Sequence, residues 1–258
     1  MNQSAAFIAS YTLLLGLGAR WRAIVASTAL ALVWASPAPA GPPYLTDDPD
    51  PTDTGHYEIY AFSEGLFARR DYDGVAGLDL NYGPVPDVQL TATLPLDVTT
   101  AVRPHIARGE VEIGVKWRFF QDDKRGLSLA MFPRVFLPTS HDGGLASLLL
   151  PLWAGWKNER WSVFGGGGYH WRPGAGNRDS LVEAIAVTRT LGEALTIGAE
   201  IAHEGADAVG GEGSTTLGLG TVIGLGGPFS LLLSGGPQRT DRSHDVGLHA
   251  YAAVGLNF

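Results

Sequence analysis

The chain has 258 residues, a formal net charge of -8 and no cysteine. The missing cysteine excludes a disulfide framework and a thiolate metal site. The acidic balance, with Lys and Arg scattered, argues against a nucleic-acid partner. Thirty-five glycines without a triplet period exclude collagen, and the varied sequence around them excludes a linker.

In chain order, the first predicted element is a secretory signal over residues 1–40. Arg20 and Arg22 form a basic patch, Ala23–Trp34 is an apolar core, and Ala38-Pro39-Ala40 is a small-residue cleavage site. Cleavage is expected after Ala40, which removes both arginines and takes the charge from -8 to -10. The interrupted apolar prefix, residues 1–19, reads as a start placed too far upstream. Neither apolar stretch reaches the roughly 18–20 unbroken residues of a spanning helix, and nothing later in the chain does.

Residues 41–53 are a Pro-rich, acidic N-terminal arm carrying Asp47, Asp48 and Asp50. Its prolines forbid a central strand. It is read as periplasmic, with a short lumen plug as the alternative.

From residue 54 onward one unit repeats: about ten alternating residues, then a turn. Twelve strands are predicted: 55–65, 73–83, 87–99, 109–120, 126–138, 146–157, 160–171, 180–190, 194–204, 214–225, 228–235 and 246–258. The fourth is the clearest. Val111, Ile113, Val115, Trp117 and Phe119 share one face, and Glu110, Glu112, Gly114, Lys116 and Arg118 the other. Only a period of two sorts residues this way. Short turns alternate with longer loops, as in an up-and-down barrel with its short turns toward the periplasm. The fold class is therefore all-β: a single antiparallel transmembrane β-barrel of about twelve strands over residues 54–258. Tyr57, Tyr82, Trp117, Phe119, Trp156, Trp161, Phe229 and Phe258 fall beside the short turns and predict a periplasmic aromatic girdle. Phe136, Tyr169 and Trp171 predict the outer rim.

Two resemblances follow from named residues. The last strand, ending at Phe258, resembles the C-terminal targeting signal of outer-membrane barrels, departing from it at Ala253. The segment Gly41-Pro42-Pro43-Tyr44-Leu45-Thr46-Asp47-Asp48-Pro49, with Arg134-Val135-Phe136-Leu137-Pro138-Thr139, resembles a family of uncharacterised outer-membrane barrels. Its members are often labelled transporters or proteins of the MetA pathway of phenol degradation. The resemblance covers the whole mature chain. It implies an outer-membrane location and passage of small solutes.

No catalytic constellation stands out, so the chain is read as not an enzyme, and no cofactor or metal is expected. Gly218–Gly224 has its third glycine one residue late for a dinucleotide loop and no helix after it. Gly165–Gly168 lacks the Lys-Ser/Thr of a phosphate loop. Ser140, His141, Asp142 and Ser147 would be the candidates for an outer-membrane lipid hydrolase, but no third orienting residue accompanies them.

The candidate site is the lumen. Asp97, Glu110 and Glu112 are expected as an acidic upper wall, with Arg134 beside Glu112. Lys116 and Arg118 lie lower, Asp79 level with Lys116, and Arg189 on another wall. Glu183 is placed high and Glu200 near mid-depth. These charges either pair in a packed network or face water in a pore. Twelve strands enclose more space than the eight that side chains alone fill, which favours the pore. The expected partners are outer-membrane lipids, the barrel-assembly machinery during insertion, and a small solute of unassigned identity. The function expected is passive passage of small solutes, aromatic compounds being one class. The alternatives are a closed structural barrel and the lipid hydrolase.

Overall fold

A computed structural model describes residues 43–69, 71–100, 104–139 and 144–258. The predicted signal, residues 1–40, lies outside the described residues. The strands are β1 (Tyr57–Ala68), β2 (Asp71–Val85), β3 (Val88–Thr99), β4 (His105–Arg108), β5 (Val111–Asp122), β6 (Leu127–Met131) and β7 (Arg134–Leu137). They continue as β8 (Ser147–Lys157), β9 (Trp161–Trp171), β10 (Ser180–Thr190), β11 (Leu195–Glu204), β12 (Ser214–Gly226), β13 (Phe229–Thr240) and β14 (Val246–Asn257).

Fourteen segments make twelve staves, because two staves are broken. β4 pairs with the upper end of β3 and β5 with its lower end. Likewise β6 and β7 both lie between β5 and β8. Two predicted strands, 109–120 and 126–138, are therefore interrupted or shifted. Pro133 explains the second break, since it has no N–H for the ladder. Val115 N–H still donates to the Pro133 carbonyl at 3.1 Å, and Phe132 N–H to that of Pro151 at 3.2 Å, so the wall stays sealed.

All pairings between these strands are antiparallel, and the sheet closes through β1 and β14, in register from Glu58↔Asn257 to Phe67↔Leu248. Phe258 completes the seam. Tyr57 and Phe258 exchange backbone hydrogen bonds of 2.8 and 3.1 Å. Their rings stack at 5.6 Å, and Tyr57 stacks on Tyr82 at 4.5 Å. Closure removes every sheet edge, which a strand-built membrane protein requires. Between β12 and β13 the chain reverses at Gly226 and Gly227, with φ of 94° and 58°, a conformation that favours glycine.

Alternation assigns the two surfaces. Leu90, Leu94, Ile113, Val115, Leu150, Leu152, Ile185, Ile201, Leu217, Leu219 and Val254 point outward and are exposed. Such an apolar outer band is tolerable in lipid and costly in water. Of the predicted girdle, all but Tyr82 are exposed, and Tyr82 is half-buried. Tyr169 and Trp171 are exposed at the other rim. Phe136 is not part of that rim. It shares the parity of Arg134, pairs with Glu112 and Ser147, and turns inward, 5.1 Å from the His170 ring.

The interior is two-sided. Tyr60, Leu232 and Ala253 form a buried apolar cluster, with Phe62, Val222 and Tyr251 packed against it. The wall from β2 to β7 is polar and charged instead.

Candidate functional site

The site is the lumen together with the arm that occupies it. Of the two placements open to the arm, its described residues, 43–53, adopt the one inside the barrel. On one side the arm meets Glu200 of β11. Leu45 N–H donates to Oε1 at 3.2 Å, while Thr46 N–H and Oγ1 donate to Oε2 at 3.0 and 2.9 Å. On the far wall, Lys116 of β5 donates to Asp47 Oδ1 at 2.7 Å and has Asp48 at 3.8 Å. Asp50 receives Arg118 at 2.8 Å and Lys157 at 2.6 Å. Thr52 N–H donates to Gln89 Oε1 at 2.8 Å. Pro49 packs over Gly155 of β8, where a Cβ would lie 2.7 Å from its ring. The arm thus spans the lumen, clasped by cations on one wall and a carboxylate on the other.

A peptide that is not a strand can lie at this depth only inside protein or water, since lipid cannot satisfy its backbone. The Lys116 pair that holds it is withdrawn from solvent, Lys116 being 4% exposed, whereas the Lys157 that also meets Asp50 is half-exposed. Breaking such a pair from one side leaves an uncompensated charge, so the clasp is strong only while both partners stay.

Asp48 is the strained member. Burial, followed by the negative charges of Asp47 and Asp50 against the opposing pull of Lys116, pushes its carboxyl up to about 6. Glu58 and Asp53 add to the acidic surroundings of this stretch. A raised pKa in the docked state means that docking takes up a proton. The resulting stabilisation is complete below the ordinary value of 3.8 and is lost as pH rises through about 6. The arm is therefore expected to be held more tightly at pH 5 than at pH 7.5. Channel recordings at the two pH values check this, and Asp48→Asn is expected to flatten the difference by keeping the arm docked at both. The Tyr44 hydroxyl is also raised, by burial and by the Glu200 carboxylate.

The expected lumen charges sort as follows. Asp79 accepts from Asn81 at 3.0 Å and Thr93 at 3.1 Å. It stands level with Thr93 and Glu112 rather than with Lys116, which pairs with Gln89. Glu112 and Arg134 meet at 3.4 Å, as expected from their spacing. Arg118 is held by Asp87 at 2.7 Å as well as by Asp50. Asp97 is exposed near the upper end of β3, and Glu110 is exposed in the break between β4 and β5. Acid and base are thus neighbours on one wall, and Glu200 stands across from them facing the arm.

Two residues expected in the lumen point outward. Glu183 and Arg189 share the parity of Leu181, Ile185 and Val187, all exposed. The inward set of β10 is small because Ala186 packs opposite Phe164 and Glu200. Arg189 reaches over the Trp161 ring at 5.1 Å, its stem along the apolar surface and its charge toward the rim. Glu183 pairs across strands with His203 and Gly167 and borders an outward groove near the outer end.

Of the hydrolase candidates, Ser140, His141 and Asp142 lie outside the described residues. Ser147 faces inward and meets His170 Nε2 at 3.0 Å. This pair is wired against nucleophilic catalysis. Arg172 Nε donates to His170 Nδ1 at 3.3 Å, so Nδ1 is the acceptor and the neutral ring carries its proton on Nε2. That nitrogen then donates to Ser147 and has no lone pair to take the serine proton.

Among the parts of the site invisible in the pattern is the slot for Tyr44. Gly198 and Gly220 are direct cross-strand partners, and a Cβ at Gly220 would lie 2.5 Å from the Tyr44 ring. Phe164 stands 6.4 Å away at 58°. The signal available was a glycine at matching positions on two neighbouring strands, Gly198 and Gly220.

No family model matches the chain, and no curated protein does. Solved structures do. The COG4313 outer membrane channel from Pseudomonas putida F1 superposes with a TM-score of 0.65 at 12% identity, over 82% of this chain and 98% of that one. The KdgM porin superposes with a TM-score of 0.56 at 10% identity, over 78% of this chain and 99% of its own. At such identities the likeness concerns fold: this chain has the architecture of an outer-membrane β-barrel.

Proposed function

We propose that the chain is an exported protein of the bacterial outer membrane and forms a passive channel for small solutes, with its own N-terminal arm resting in the pore. The observation that carries the reading is the arm itself. A lumen that admits a peptide segment leaves, when that segment withdraws, a polar passage about as wide as a chain. The apolar outer band and aromatic girdle suit lipid, and the inward carboxylates and amides suit water. Outer-membrane lipids and, during insertion, the barrel-assembly machinery are its partners on this reading. The resemblance to the phenol-degradation family points toward small organic solutes. Tyr60, Phe62, Trp153, Phe164 and Tyr251 inside the barrel support that class.

The arm's ion pairs also favour a second reading, a barrel kept shut by its own N-terminus. Liposome swelling separates the two. Proteoliposomes containing the mature chain are expected to swell in an isosmotic small sugar, and faster when the arm is displaced. A folded barrel that gives no swelling in either state overturns the channel. Selectivity follows from the lumen charges, because low-dielectric walls focus their field. Glu112→Gln is expected to move the reversal potential in a salt gradient toward anion preference, and Glu110→Gln, at an exposed position, to move it less.

A further inference from the structure

We propose that the lumen binds aryl carboxylates, an aromatic ring joined through a short chain to a carboxylate, at the two subsites that Tyr44 and Asp47 of the arm now occupy. The proposal rests on the channel reading for its biological role and names the solute class. The arm offers a ring and a carboxylate three residues apart, so that their Cα atoms lie at most about 11 Å apart along the chain. Each has a built receptor. The ring lies on the Gly198–Gly220 pair, where two adjacent strands lack side chains at the same level, and Phe164 closes one side. Flat backbone with an aromatic edge suits a planar ring and little else of that thickness. The carboxylate of Asp47 meets Lys116, whose ammonium also stands 5.2 Å over the Phe132 ring. Arg134 stands 4.9 Å from the same ring.

Two further features fit an anionic, ring-bearing guest. Arg134 Nε and Trp153 Nε1 are buried donors without a hydrogen-bond partner among the described residues, and Trp153 is 2% exposed. They sit on the neighbouring β7 and β8. A buried donor without a partner costs free energy that a guest's oxygen recovers. Moreover, the arm brings both Asp47 and Asp48 to Lys116, one cation for two carboxylates. A guest with a single carboxylate satisfies Lys116 without the second negative charge, which lets it compete with the arm.

The test uses the mature chain in detergent, at one pH. The protein has no cysteine, so Thr46→Cys gives a unique reporter at a site that is fully buried when the arm is docked. The rate of maleimide labelling then reads arm release. Titrating 4-phenylbutyrate is expected to raise that rate several-fold and to saturate. Butyrate, which lacks the ring, and 4-phenylbutan-1-ol, which lacks the charge, are expected to leave it unchanged at the same concentration. Adding Gly220→Val, which fills the ring slot, is expected to give a high basal rate that 4-phenylbutyrate no longer increases. Equal effects of all three compounds, or no effect of any, overturn the proposal. Labelling requires no conduction, so the two readings fail separately. A barrel that conducts but ignores 4-phenylbutyrate loses only the solute class. One that responds to it but passes no ions or solutes loses only the channel.

Discussion

Arginine at position 113 is expected to abolish stable insertion. Ile113 lies on the outward face of β5, is 50% exposed, and pairs with Ala92 and Val135 near the middle of its stave. A cation at that depth on the lipid face costs about 2–4 kcal/mol, a large part of the stability of a small domain. Thr91→Arg is the inward counterpart. Thr91 is buried in the lumen, where its hydroxyl donates to Asn81 and accepts from Gln89. Arginine there disturbs the amide ladder that receives Thr52 of the arm, but polar groups and water surround it. Heat-modifiable migration on cold gels is expected to be lost for Ile113→Arg and retained for Thr91→Arg. Equal loss in both would mean that the inside and outside of the barrel are wrongly assigned.

The second large effect concerns the arm. Lys116→Glu replaces the cation that faces Asp47 and Asp48 by a third carboxylate. Losing one side of a buried pair costs about 3–5 kcal/mol when the remaining charge cannot move. Here it can move, because the described part of the arm is not a stave of the barrel but leads into it at β1. The barrel is therefore expected to stay folded while the arm leaves the lumen. Protease accessibility of residues 43–53 would show the release, and unchanged heat-modifiability would show the intact barrel. Release without a folded barrel, or a folded barrel with a protected arm, would count against the clasp.

How much of this was legible in the sequence depends on the range of the interaction. Period-two alternation is local, so the strand count, the direction of Val88–Thr99 and of Val111–Phe119, and the girdle at Trp156, Trp161 and Phe258 could be read directly. The Glu112–Arg134 pair was legible because a tight hairpin fixes its register. β10 misled because both of its faces are apolar. Val182, Ala184 and Ala186 alternate with Leu181, Ile185 and Val187, and the charged Glu183 and Arg189 suggested the lumen for the wrong set. Residue size was the better guide: the larger set faces outward, and the alanines face the crowded interior. Pro133 carried a visible sign of the stave break, since a proline in a central strand cannot complete the ladder. The arm's docking had no such sign. Thr46 and Glu200 are 154 positions apart, and three aspartates in a Pro-rich segment look alike whether they meet water or Lys116. The wiring of Ser147, His170 and Arg172 likewise depends on which ring nitrogen faces which partner, a detail that composition cannot carry.

On the channel reading, this barrel encloses a passage which its own arm occupies. Single-channel recording of the mature chain beside Lys116→Glu, both reconstituted in planar bilayers, tests it most directly. The expected result is small or infrequent current steps for the unaltered protein, and larger, longer-lived steps for the variant. Two folded proteins that are both silent, or that conduct identically, would contradict it.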